Sequence, residues 1–321
     1  MSPRWLVTGA AGFIGSHVCE ALAAREDDVV GFDNFDAFYP RAVKDANLAA
    51  LAGKKNFRLV EGDCTRDAFP LDGVDGVLHF AARPGVRPSL DDPAGYVTTN
   101  VTGTTRLLEA VRRAGVTRAV LASSSSVYGD DTPPPFSEDA PAVGPISPYA
   151  ASKRAGELVA QAFAHLYGLR VASLRFFTVY GPRQRPDLAI HKFTAQLARG
   201  EAIRMNGDGS TSRDYTYIED AVAGILAALA WTGRVPAGSC RAFNLGGGER
   251  VRLDRLIALI ASALQVTPRI ESAGEQPGDV RLTDADLSRS AAELGYRPSV
   301  GIEAGIRQFV RWYEATHGRQ S

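Results

Sequence analysis

The sequence predicts an α/β fold: a doubly wound parallel sheet followed by a smaller mixed α/β lobe towards the C-terminus. Three observations predict it. In the first half, short apolar runs alternate with helical stretches, the βαβαβ rhythm of a parallel sheet. The strand candidates are nearly continuous apolar runs, as expected when helices cover both sheet faces. From Gly181 onward that rhythm gives way to turn-rich segments mixed with helices.

The strand candidates are Trp5–Thr8, Val29–Asp33, Arg58–Glu61, Val74–Ala81, Arg118–Ser124 and Arg170–Phe177. Helical patterns such as Ile14–Arg25 and Thr104–Arg113 separate them. Beyond Gly181, turns fall at 181–186, 206–210 and 273–278, and helices near Ile190–Arg199, Glu219–Trp231, Leu253–Leu264 and Ile302–Thr316. With 321 residues, 45% of them hydrophobic, the chain can bury a substantial core in one large domain or two fused ones.

The 36 basic and 36 acidic side chains cancel, and no basic stripe stands out. A nucleic-acid partner is therefore not expected, and an anionic ligand must be met by local groups. Cys19, Cys64 and Cys240 match no metal-site spacing and are too few for a disulfide framework. They read as reduced structural thiols of a cytoplasmic protein, with no metal. No signal-peptide pattern precedes the first strand and no apolar run is long enough for a membrane span, so no membrane partner is expected.

Gly9-Ala10-Ala11-Gly12-Phe13-Ile14-Gly15 follows the first strand and opens a helix. A glycine triplet alone is a weak signal. Strand, tight turn, helix and an acidic residue about 20 positions later make it a dinucleotide signal. Gly9 permits the turn, Gly12 lets the backbone approach a pyrophosphate, and Gly15 lets helix and strand pack closely. The helix N-terminus offers free N–H groups to the phosphates. Asp33 ends the second strand, where its carboxylate can accept both ribose hydroxyls and repel a 2′-phosphate, favouring NAD over NADP. The competing reading makes Asp33 and Asn34 a plain turn. Asp63, ending the third strand, is a candidate for the adenine amino group or a turn aspartate, with Cys64 a small buried neighbour.

Ser147-Pro148-Tyr149-Ala150-Ala151-Ser152-Lys153 starts a long helix, with Ser147 as N-cap and Pro148 at the first helical position. Tyr149 and Lys153 are four apart and share one helical face. A lysine ammonium, and a positive nicotinamide ring, would lower the phenol pKa towards working pH. A poised tyrosine is a general base for an alcohol losing hydride from its carbon. By itself such a pair is usually a solvated face. Here it follows Ser123-Ser124-Ser125-Ser126, which ends a strand where α/β sheets bind ligand, so Ser124 can share the substrate hydroxyl proton.

Together these residues resemble the extended short-chain dehydrogenase/reductase family, specifically its nucleotide-sugar epimerases and dehydratases. The resemblance runs from Leu6 to about Tyr313. It rests on residues 8–15, His79-Phe80-Ala81-Ala82, residues 100–104, Tyr149 with Lys153, residues 174–181 and residues 213–218. It implies a Rossmann NAD-binding domain over residues 1–177, with 215–245 packing back onto it, and a nucleotide-sugar lobe over 178–321. It implies Ser124, Tyr149 and Lys153 as the catalytic set. Phe13, Ile14, Phe80, Ala81, Ala82, Asn100, Ser123, Phe176 and Val179 would join the glycine loop and the acidic residues around NAD. A UDP-sugar would contact Val86, Arg87, Thr178, Ala189, Phe193, Met205, Arg213, Gln276 and Asp279. Many glucose/galactose-type members carry arginine where Gln276 stands; here Arg281 follows instead.

Dehydratases and decarboxylases of this family usually carry a glutamate after the catalytic hydroxyl residue, often preceded by aspartate. This chain has Ser125 and Ser126, leaving epimerisation as the simplest reaction. Residues 31–35, 82–89, 123–126 and 185–187 are similar to UDP-glucuronate 4-epimerases. Oxidising C4 of a glucuronate makes a β-keto acid that loses carbon dioxide readily, so its carboxylate must be held. Ser125, Ser126 and Thr178 are candidate donors, and Arg185 a candidate charge. The alternatives are strand-end capping for the serines and a solvated loop arginine for Arg185. A UDP-glucose/UDP-galactose 4-epimerase and a non-catalytic NAD-binding regulator stay open. The resemblance also implies a homodimer in which helices near Tyr96–Arg113 and Tyr149–Leu166 form a four-helix bundle.

Overall fold

The structure is a computed structural model that describes residues 2–274 and 282–318. The first half runs β1 (Arg4–Thr8), α1 (Phe13–Ala24), β2 (Asp28–Asp33), α2 (Arg41–Asn47), β3 (Phe57–Glu61), β4 (Gly76–His79), α3 (Val86–Asp91), α4 (Pro93–Val97), α5 (Gly103–Arg113), β5 (Arg118–Ser124), α6 (Pro148–Tyr167) and β6 (Arg170–Phe176). The second half runs β7 (Thr178–Tyr180), α7 (Ala189–Ala198), β8 (Ile203–Asn206), β9 (Ser212–Tyr217), α8 (Ile218–Arg234), β10 (Cys240–Leu245), β11 (Arg250–Arg252), α9 (Leu253–Leu264), β12 (Ile270–Ala273) and α10 (Ile302–His317).

Seven parallel strands form the main sheet in the order β10-β6-β5-β4-β1-β2-β3. The chain moves outward from β1 to β3, then returns to β4 on the other side. That reversal opens a crevice beyond the strands' carboxyl ends, where such sheets take ligands. Smaller sheets, β11-β9-β7 and β12-β8, belong to the second half.

Successive strand residues alternate faces. Leu6, Val77, Ala119 and Val171 pack with Leu107, Leu108, Val111, Ala160 and Ala164, from α5 and α6. Their neighbours Val7, Leu78, Val120 and Ala172 pack with Leu22, Ile225 and Leu229, from α1 and α8. Covering on both faces explains the continuous apolar runs.

Two differences from the sequence reading have physical causes. β10 is a seventh strand that the pattern did not announce. It is an edge strand, and its first residues, Cys240-Arg241-Ala242, are half-buried or exposed, so its apolar run is broken. β4 is shorter than Val74–Ala81. It ends at His79, and the chain then passes tightly over Gly9, where a Cβ would lie 2.7 Å from the Ala81 nitrogen. Among the described residues, no helix is long and apolar enough to cross a membrane, and no group of three His, Cys, Asp or Glu could hold a metal ion.

Candidate active site

A cleft of about 680 Å³ lies over the carboxyl ends of the central strands. Its phosphate end is the β1–α1 turn. Gly9 has φ +71°, a conformation open to glycine at little cost. A Cβ on Gly15 would collide with the Gly9 carbonyl oxygen. α1 begins at Gly12 without a side-chain cap, leaving its first N–H groups and positive dipole end for an anion. Phe13 and Ile14 line the same wall.

Asp33 is buried at the end of β2. Its carboxylate accepts the Ala11 N–H (3.0 Å) and the Phe35 N–H (2.8 Å), pinning the phosphate turn to the loop after β2. Asn34 donates to Asp63 (3.0 Å), which is further held by the Thr65 hydroxyl (2.6 Å). Burial pushes the Cys64 thiol up to about 12, so it is an inert neighbour. Phe80, Ala81, Ala82, Ser123, Phe176 and Val179 complete this part of the lining.

At the centre stand Ser124, Tyr149 and Lys153. Ser147 caps α6 through the Ala150 N–H (3.1 Å), and Pro148 takes the first turn. Such a cap contributes about 1 kcal/mol and sets where Tyr149 and Lys153 emerge. The Tyr149 side chain stands beside Ser124 in the cleft lining, and the Tyr96 ring packs edge-on against it at 6.2 Å. Ser124 accepts the Ser126 N–H (3.2 Å), so strand-end capping and a place beside Tyr149 coexist in one residue. Burial raises the Tyr149 phenol above its usual range, while the Ser124 hydroxyl and the Arg185 charge oppose it. The expected lowering by Lys153 is therefore absent from the protein alone. The Lys153 ammonium donates to the Ala122 carbonyl (2.9 Å), and burial pushes it down to about 8, with Glu157 opposing.

The other end of the cleft is lined by Val86, Arg87, Ser125, Ser126, Thr178 and Arg185. The Arg185 guanidinium is not a solvated loop group. It is largely covered, lies 5.5 Å from the Phe38 ring centre, and spends its fork on Asp187 at 2.9 and 2.8 Å. Its loop is latched to α1. Arg183 donates to Glu20 (2.5 and 3.0 Å) and to the Asn47 carbonyl (2.9 Å), and His17 meets the Pro182 carbonyl at 3.0 Å.

Several expected residues stand elsewhere. Asn100 is absent from the cleft lining. Its amide accepts the Arg83 N–H (2.8 Å) and donates to the Arg83 carbonyl (3.0 Å) and to Ser152 (2.9 Å), tying the loop after β4 to α6. Phe193 is buried in the hydrophobic core under α7, and Ala189 is exposed at that helix's start. Met205 pairs in register with Ser272, and Ser212, beside Arg213, bridges to Leu282. Gln276, Asp279 and Arg281 lie outside the described residues.

The sequence reading passed over Tyr39, Lys44 and Asp187, all in the lining. Lys44 is buried, donates to the Asp36 carbonyl (2.8 Å), stands 4.0 Å from Asp33 and lies over the Tyr39 ring. One signal was available: only five of the 36 basic side chains are lysines, so each is a choice over arginine.

The comparisons with known proteins agree with this geometry. A family profile described as the NAD dependent epimerase/dehydratase family matches residues 5–246. UDP-glucuronate 4-epimerase 4 of Arabidopsis thaliana is 41% identical over 328 residues, covering 96% of this chain and 74% of that one. UDP-glucuronate 4-epimerase of Thermodesulfobacterium geofontis is 38% identical, covering 96% and 95%. The crystal structure of UDP-glucuronic acid 4-epimerase from Bacillus cereus with UDP-glucuronic acid and NAD superposes with TM-score 0.92 at 34% identity, over 98% and 100% of the chains. The dTDP-glucose 4,6-dehydratase of Streptomyces venezuelae with NAD gives 0.90 at 34%, over 98% of each chain. With a profile match over three quarters of its length and relatives about 40% identical along nearly all of it, the chain belongs to the NAD-dependent epimerase/dehydratase family.

Proposed function

We propose that this protein is an NAD-dependent UDP-glucuronate 4-epimerase, interconverting UDP-glucuronate and UDP-galacturonate through a transient 4-keto sugar. The observation that carries the reading is one cleft that brings Ser124, Tyr149 and Lys153 together while its next residues, Ser125 and Ser126, bring no carboxylate. Elimination and decarboxylation in this family use such an acid. Relatives of both kinds share the fold, and the serines favour epimerisation. The named 4-epimerase relatives support the uronic acid.

The residues divide the work. The glycine turn and the N-terminus of α1 hold the NAD pyrophosphate, and Asp33 holds the adenosine ribose. Residues 1–177 supply this half and residues 178–321 the nucleotide-sugar half. When bound, NAD supplies the acceptor for the C4 hydrogen and returns it, so the cycle has no net redox change. Tyr149 takes the C4 hydroxyl proton with Ser124 sharing it, and later gives it back. The desolvation of Tyr149 makes positive charge nearby decisive: the Arg185 charge acts on the phenol in the protein, and Lys153, one helical turn on, adds to it in the loaded enzyme. The anchored diphosphate leaves the sugar free to present its other face. The 4-keto uronate is a β-keto acid, and Ser125, Ser126, Thr178 and Arg185 restrain its carboxylate. Arg185 must then share its fork between Asp187 and the substrate.

Incubating the protein with UDP-glucuronate and with UDP-glucose, then separating the sugars, tests the reading. The expected product is UDP-galacturonate, with far slower turnover of the neutral sugar. Release of carbon dioxide or a stable keto product would overturn it. In the same assay, Arg185→Gln should lower kcat/KM for the uronate ~10–100-fold, the value of a lost charged contact, and lower it much less for the neutral sugar, which loses only the Arg185 charge near Tyr149.

We propose a homodimer through α4–α5 and α6. Val97 on α4 and Leu158 and Leu166 on α6 leave half or more of their surface exposed, unusual for large apolar residues on neighbouring helices. Sedimentation should give a dimer for the wild type and a monomer for Leu158→Glu. A monomeric wild type would remove the proposal.

A further inference from the structure

We propose that Glu157, one turn beyond Lys153 on α6, is a positioning residue of the reaction: it seats the Tyr149–Lys153 face on β5 and β6 and supplies the counter-charge that keeps Lys153 an ammonium ion. The inference rests on reading Tyr149 and Lys153 as the proton-transfer pair.

The Glu157 carboxylate is buried and makes four hydrogen bonds. One oxygen accepts from the Ser123 hydroxyl (2.5 Å) and Arg175 Nε (2.9 Å). The other accepts from Arg175 Nη2 (2.9 Å) and Arg154 Nη1 (2.8 Å). Ser123 precedes Ser124 and lies in register opposite Arg175. One carboxylate therefore joins the helix carrying Tyr149 and Lys153, the strand carrying Ser124, and the next strand. Arg175 is braced in turn, with its guanidinium 4.8 Å from the Tyr128 ring centre. The Lys153 ammonium bonds to the Ala122 carbonyl, one residue before Ser123.

The charges around Lys153 single out Glu157. From β4 comes His79, which burial pushes down to about 3, so it is neutral; its ring nitrogens meet Thr8 and Thr104. From β6 comes Arg175, whose charge is taken by Glu157 itself. Tyr128 and, on β10, Cys240 are pushed up to about 12 by burial and stay neutral. On α6, Arg154 pairs with Glu157, and Tyr149 is uncharged until it yields its proton. Arg185, facing Tyr149, is paired with Asp187. Glu157 is the carboxylate that opposes the loss of the Lys153 proton caused by burial. Without it, the amine becomes neutral closer to pH 7 and no longer stabilises a phenolate.

The test uses NAD-loaded enzyme labelled with 13Cε-lysine; there are five lysines, and Lys153→Arg assigns the signal. In Glu157→Gln the Lys153 titration should move down by about one pH unit or more, equivalent to ~10-fold in its proton affinity. The alkaline limb of kcat for UDP-glucuronate, set by loss of the Lys153 proton, should move to lower pH by the same amount, and kcat at pH 7 should fall about 2-fold or more, with KM unchanged. Glu157→Asp keeps the charge and should keep the titration and most of kcat. Glu157→Gln leaves Arg175 buried without its partner, so the charge-balanced Glu157→Gln/Arg175→Gln protein serves where the single variant folds poorly. Because it loses the Arg175 cation as well, its Lys153 titration should move down by less than in Glu157→Gln, and its Tyr149–Lys153 face should still be seated less firmly on β5 and β6. An unmoved Lys153 titration in Glu157→Gln, or equal damage from Asp and Gln, overturns the proposal. If the wild type fails to epimerise UDP-glucuronate, the functional reading fails, while the lysine titration still decides the role of Glu157.

Discussion

Tyr149→Phe is expected to lower kcat for epimerisation ~10²–10⁴-fold, the range for removing a general acid–base group, while NAD stays bound. The substitution deletes one oxygen and keeps the ring that packs against Tyr96. Ser124 keeps its hydrogen bonds to Ser126, so the stability effect is small beside the catalytic one. Nothing in the glycine turn or at Asp33 contacts that hydroxyl, so cofactor affinity has no reason to change. Sugar chromatography gives the rate, and extraction of bound dinucleotide from the purified protein gives the occupancy. Turnover within tenfold of wild type would mean that another base serves C4. Loss of NAD together with activity would mean that the ring oxygen supports the cofactor site instead.

Gly15→Ala is the second large effect. The new methyl has nowhere to go: it meets the Gly9 carbonyl oxygen and lies 2.8 Å from the Gly9 carbonyl carbon. Both are backbone atoms of a turn that Asp33 fastens through the Ala11 N–H and that runs tightly under Ala81. The helix must therefore shift from the strand or the turn must open. Forced overpacking of this kind costs about 1–3 kcal/mol, and more where backbone takes the strain. The opened turn no longer aims the first N–H groups of α1 at one point. NAD affinity should fall at least ~100-fold by fluorescence titration, with a lower melting temperature. A variant that melts and binds NAD like the wild type would show that the turn has slack.

Much of the fold was legible because both covered faces of the sheet force apolar runs, and six strands were read from those runs. The seventh strand, β10, was not, because Arg241 and Asn244 break its short apolar run Cys240–Leu245. Glycine loop, Asp33 and the Tyr149–Lys153 spacing were legible because each is a local requirement, met within one turn or one helical step. Tyr39, Lys44 and Asp187 reach the cleft from loops and a short helix, where no periodicity announces a facing. Asn100 shows the converse. The resemblance implied a cofactor contact for it, and its amide is taken up by the Arg83 backbone and Ser152.

The sequence by itself determined the chemistry on offer: a phosphate turn, a ribose acceptor, a phenol with its lysine one helical turn on, and serines where a carboxylate would direct elimination. These follow from residue type and short spacing. Only the tertiary structure decided the electrostatics of that chemistry. Burial, which no spacing encodes, raises the Tyr149 phenol and lowers Lys153, and the Arg185 fork meets Asp187 before any substrate. The counter-charge for Lys153 depends on Ser123, Glu157 and Arg175, brought from two strands and a helix to one carboxylate. Charge acts through distance and dielectric, and both are properties of the folded chain.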